Sequence, residues 1–110
     1  VALAKVRKLI LVTASHLPQH RYFRRIAYEL SKKLGVEYEV KQEDYVFLNE
    51  YGEKDDFGMA WAPQLFAELD DGRVVVVLSQ LPIDPKSLNI DVEKGLEQAL
   101  EKLRSYGVEA

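Results

Sequence analysis

The sequence predicts a single α/β domain, residues 1–110, built on a mixed central sheet: a β-α-β unit, a less regular segment, a β-hairpin and a C-terminal helix. Three observations carry that prediction. Leu9–Val12 is an unbroken apolar run inside Val6–Thr13, the pattern of a strand buried on both faces. Gln19–Leu34 and Asp91–Tyr106 repeat apolar residues at helical spacing. Between two further apolar runs stands Asp70-Asp71-Gly72, a hairpin turn with glycine where a positive φ is needed.

The elements follow in chain order. After the first strand, Ala14–His20 is a loop in which Pro18 stands near the start of a helix, and the Ser15 hydroxyl is expected to cap that helix. Phe23, Ile26, Ala27, Leu30 and Leu34 form the helix's buried face, and Gly35 supplies a left-handed end. Val36–Lys41 then alternates, with Val36, Tyr38 and Val40 opposite Glu37, Glu39 and Lys41, as a half-buried strand near a sheet edge does. Strand, helix and strand within 36 residues predict a right-handed parallel crossover. Asp44–Tyr51 fits either a short helix capped by Asp44 or a strand returning on Val36–Lys41, and Gly52–Gly58 is a polar loop. Gln64–Leu69 and Arg73–Ser79 are the hairpin strands, and Leu81–Asn89 is a loop carrying Pro82 and Pro85. In the last helix Val92, Leu96, Ala99, Leu100 and Leu103 form the buried stripe, Asp91 is the cap and Gly107 the terminator. Gly95, inside that helix, fits neither a cap nor a turn.

Composition narrows the function classes. With 47% apolar and 30% charged residues the chain is globular rather than disordered. The longest apolar run, Val74–Leu78, falls far short of the ~18 residues of a membrane helix. Val1–Val6 lacks the apolar stretch of a signal peptide, so the cytoplasm is the expected location. No cysteine is present, which removes thiolate nucleophiles, disulfides and cysteine metal cages. The six glycines are scattered and build no phosphate loop, and no catalytic constellation, cofactor or metal is expected. His16 and His20 are four apart, but no third ligand accompanies them by spacing. Two asparagines, one methionine and no cysteine beside abundant Glu and Lys make the bias of a thermophile's protein.

Charge is distributed unevenly. Residues 1–36 carry eight bases and one acid, a net of +7, and residues 37–110 a net of −10. Such a split fits an acidic partner or nucleic acid on the basic side, or mutual attraction of the two halves within the fold or between subunits. Arg21, Arg24 and Arg25 share the first two turns of the first helix, with Lys32 further along and Tyr22 and Tyr28 between. Cations at a helix start oppose the macrodipole. A phosphate- or RNA-binding stripe with tyrosines for stacking is one expectation. A solvated face whose bases pair with Glu37 and Glu39 of the next strand is the other.

A family resemblance gathers at Trp61-Ala62-Pro63, followed by the two hairpin strands. With the β-α-β order before it and a helix after it, the chain resembles the thioredoxin-like fold, whose members carry a cis proline just before the third core strand. The resemblance spans roughly residues 6–106 and implies that Pro63 is that proline and lies close to the first loop. In that family the loop holds two redox cysteines. If Pro18 matches the loop proline, His16 and Gln19 stand in their places, so disulfide exchange is excluded whatever the fold. The resemblance also implies a partner-binding face of His16, Pro18, Gln19, Trp61, Ala62 and Pro63, where an extended segment pairs with the backbone before the proline. Trp61 is then either an anchor for that partner or a ring packed against Phe57 or Phe66.

A second, shorter resemblance covers residues 11–34. The apolar strand, Thr13, Ser15, Pro18 and the basic helix are similar to the opening of the Brix domain, an RNA-binding module, although Brix domains are larger and basic overall. Anticodon-binding domains of some tRNA synthetases share the strand–helix alternation as a fold-level analogy. Two functions are therefore expected in competition: a non-redox thioredoxin-like domain binding another protein or a second copy of itself, and an RNA- or phosphate-binding domain using Arg21, Arg24, Arg25 and Lys32. Neither places the chain in a membrane.

Overall fold

The apolar run of the first strand determines the layering. The structure, a computed structural model, describes residues 3–110. Strand β1 (Val6–Thr13) lies inside the sheet with every residue from Leu9 to Thr13 buried. Because successive side chains leave opposite faces, Leu9 and Leu11 enter one core and Ile10 and Val12 the other. Each buried aliphatic side chain contributes roughly 1.5–3 kcal/mol, so both faces must be covered.

Helices α1 (His20–Leu34) and α3 (Val92–Ser105) cover the first face. From α1 come Phe23, Ile26, Ala27 and Leu30, as the spacing predicts; Leu34 is only partly buried. From α3 come Ala99, Leu100 and Leu103, with Val92 and Leu96 partly buried. The short helix α2 (Tyr45–Tyr51) covers the second face through Leu48, packed with Ile10, Val12, Phe66 and Val76. Of the two readings open for residues 44–51, the helix is therefore the one adopted. Asp44 caps it, accepting from the Phe47 N–H at 3.0 Å.

The sheet order is β2-β1-β3-β4, with β2 (Glu37–Gln42), β3 (Gln64–Leu69) and β4 (Val74–Leu78). β1 pairs parallel with β2 and antiparallel with β3, and β3 pairs antiparallel with β4. The sheet is mixed, with helices on both faces, and forms the small thioredoxin-like α/β arrangement expected from the element order. β2 is an edge strand, as its alternation predicts. The β3–β4 turn closes through the Leu69 N–H on the Arg73 carbonyl, with Gly72 at φ +91°. None of the described helices is long and apolar enough to cross a membrane.

Two expectations are corrected. Ser15 does not cap α1: the flanking residue is Gln19, whose side chain makes no capping bond. The chain first turns on itself, with the Leu17 N–H on the Ala14 carbonyl and the His20 N–H on the Leu17 carbonyl, so Ser15 lies a turn too early. Gly95 finds its reason in packing. A Cβ there would stand 2.8 Å from Ile26 Cδ1, so glycine lets α3 approach α1. Gly95→Leu should destabilise the domain by about 1–3 kcal/mol through overpacking, read as a lower denaturation midpoint. An unchanged midpoint would mean that the contact between the helices is loose.

Candidate functional site

Antiparallel pairing of Val12 with Gln64 puts the end of β1 and the beginning of β3 at the same end of the sheet. The segments that flank them, Ala14–Gln19 and Trp61–Pro63, are thereby neighbours. Leu17, Pro18, Gln19, Ala62 and Pro63 line an open cleft of about 260 Å³. The Ala62–Pro63 peptide is cis. His16, Pro18 and Gln19 are exposed, Trp61 and Ala62 half-buried, and Pro63 buried.

Buried polar groups hold this end together. Gln64, fully buried, accepts the Glu53 N–H at 2.9 Å and donates to the Glu53 and Trp61 carbonyls at 3.0 and 2.8 Å. It ties the loop before β3 at two points. The Trp61 indole N–H donates to the Ser79 carbonyl at 2.9 Å, and the Ser79 hydroxyl lies 2.7 Å from a Glu53 carboxylate oxygen. Trp61 is thus fixed by the strand end of β4 and not by Phe57, which is 90% exposed. On the other side the Thr13 hydroxyl and His20 Nδ1 are 2.9 Å apart, and the Ser15 N–H donates to Gln42. His20 is engaged at the base of α1, whereas His16 faces solvent. Among the described residues, neither the N–H nor the carbonyl of Ala62 makes a hydrogen bond.

The basic stripe emerges beside this cleft. Arg21, Arg24, Arg25, Lys32 and Lys33 are all exposed. Among the described residues none of the five lies within 4 Å of a carboxylate. The expected pairing with the next strand does not occur, because β2 turns its acids to the other face of the sheet. There Lys8 and Lys41 reach Glu39 at 3.1 and 3.6 Å. The Lys8 hydrogen bond holds the Glu39 carboxyl below its ordinary range, with Lys41 adding to the effect. Arg21, Arg24 and Arg25, with His20, Tyr28 and Tyr38, line a shallow groove of about 320 Å³ between α1 and β2. Tyr28 is 47% exposed, with the Lys32 ammonium 5.2 Å from its ring centre, and Arg21 lies 4.8 Å from that of Tyr22.

The sequence-predicted residues thus fall into two adjoining groups that meet at Gln19–Arg21. Sequence reasoning did not single out Gln64, Glu53, Ser79 or Tyr38. Of these only Tyr38 had a usable signal: its register face is the one α1 covers.

Gln64→Leu leaves the Glu53 N–H and two carbonyls without their partner. A loss of roughly 2–4 kcal/mol is expected, with Trp61 emission shifted to the red and more open to quenchers. Unchanged stability and emission would show that the loop holds without Gln64.

No protein-family model, curated protein or solved structure matches the chain, so the functional reading rests on this geometry alone.

Proposed function

We propose that the chain is a non-redox thioredoxin-like binding domain that holds an extended segment of a partner protein in the cleft between Leu17–Gln19 and Trp61–Pro63. The observation that supports this most is the unpaired backbone of Ala62 at the rim of an open cleft. An added strand there gains main-chain hydrogen bonds, the basis of recognition by β-augmentation. Leu17 and Pro18 offer apolar contact, and the half-buried ring of Trp61 stands next in the chain to Ala62. His16 and Gln19 supply polar groups and no thiolate, so a segment is bound and not covalently captured.

Peptides selected from a displayed random library test the reading. Gln19 makes no capping bond, so Gln19→Tyr leaves α1 intact while placing a ring over the cleft. Selected peptides should lose at least tenfold in affinity, about 1.4 kcal/mol, on this variant. They should lose as much when one peptide amide is N-methylated. Peptides indifferent to both changes bind elsewhere and contradict the proposal.

A further inference from the structure

From the groove of α1 we infer a second site, independent of the cleft, for a single-stranded polynucleotide. Three features of the surface lead there. The first is uncompensated charge. Arg21, Arg24 and Arg25 project from adjacent turns, exposed and free of carboxylates among the described residues, although the chain as a whole is acidic. The acids nearest in sequence order on β2 are on the opposite face, with Glu39 already held by Lys8 and Lys41. The second is aromatic surface within the same groove. Tyr28 and Tyr38 line it together with the three arginines and His20. Phosphates meet guanidinium forks that suit their geometry, and unstacked bases meet rings.

The third is dimension. From Arg21 to Lys32 the helix rises roughly 16 Å at about 1.5 Å per residue, a length for a few nucleotides rather than for a wrapped duplex. A carboxylate-rich peptide would satisfy the arginines but would leave Tyr28 and Tyr38 with nothing to stack on. The combination of uncompensated cations with tyrosine rings, Tyr28 exposed and Tyr38 half-buried, therefore favours a single strand. Its ribose or deoxyribose makes no difference to either contact, so the shared chemistry is a phosphodiester chain with unpaired bases.

Local energetics agree. Cations at a helix start oppose the macrodipole. Replacing Arg21, Arg24 and Arg25 together by Gln should therefore leave a domain at least as stable as the parent while binding disappears. This separates loss of the site from loss of the fold.

Fluorescence anisotropy with labelled oligo(U) and oligo(dT) of roughly ten nucleotides, within the usual range for one such domain, provides the test. Three phosphate contacts give a slope of log affinity against log salt of about −2 for a single strand. Between about 0.05 and 0.2 M salt that is a loss of roughly 20-fold. The triple Gln variant should abolish binding with its midpoint of unfolding unchanged or raised. Tyr28→Ala should weaken binding about tenfold by loss of stacking without altering the salt slope. Lys102→Gln, beside β4 at the opposite edge of the sheet from the groove, should change neither. Tighter binding of oligo(U) would assign RNA, and equal binding a site indifferent to the sugar; both support the inference. Equal affinity for a poly-glutamate peptide, no effect of Tyr28→Ala, or no binding at about 0.05 M salt would each overturn it.

Discussion

Burial of β1 on both faces is the constraint on which the rest of the molecule depends. Four consecutive apolar residues, Leu9 to Val12, can leave water only if something covers each side of the sheet. α1 and α3 cover one side and α2 the other, and the two cores share β1 and β3 between them. The parallel crossover to β2 and the antiparallel return of β3 then bring three features to one end of the sheet: the loop after β1, the start of α1 and the segment before β3. The location of the cleft and of the start of the basic stripe is a consequence of strand order.

The helix starts differ in a way that sets α1 apart. α2 and α3 open on Asp44 and Asp91, which accept from Phe47 and Lys94 N–H groups at 3.0 Å, and α3 has Glu93 in its first turn. α1 opens on Gln19 without a capping bond, has no acid in its first turn and carries arginines in its place. Caps are worth about 1 kcal/mol and dipole terms ~0.3–1 kcal/mol each. The chain thus uses good helix-start chemistry where the surface has only to be stable, and departs from it where arginines line a groove. Behind that surface the polar groups are satisfied: among the described residues no buried side-chain nitrogen or oxygen lacks a partner. Gln64 and Thr13 make such bonds from inside, beneath the exposed residues.

Much of the fold was legible because its signals are local. The run Leu9–Val12, the spacing Phe23-Ile26-Ala27-Leu30 and the Asp71-Gly72 turn each state their structure within a few residues. Tyr45–Tyr51 was ambiguous because the segment mixes strand-favouring Tyr, Val and Phe with a period too short to count. The Asp44 cap and the burial of Leu48 decide for a helix. The Ser15 cap that residue type suggests is displaced by a turn from Ala14 to Leu17, which residue type does not reveal. At the site, the cleft and stripe residues were legible from composition and order. Gln64 was not, because a glutamine at a strand start signals nothing until the loop it ties has folded over it. Gly95 was visible as an oddity, and only the approach of Ile26 explains it. The fate of the basic stripe depended on which face β2 gives to its acids, a matter of register with β1.

The central claim is that the doubly buried β1 is the rigid base from which the loops lining the cleft are displayed. Native-state hydrogen exchange tests it most directly, since protection reports the free energy of the opening that exposes each amide. The amides of Leu9–Val12 and of their β3 partners Leu65–Ala67 should be the slowest in the chain, exchanging only by global unfolding, while those of His16–Gln19 exchange by local opening. Faster exchange in β1 than in α1 or α3 would show that the sheet is not the base of the structure and would contradict the account.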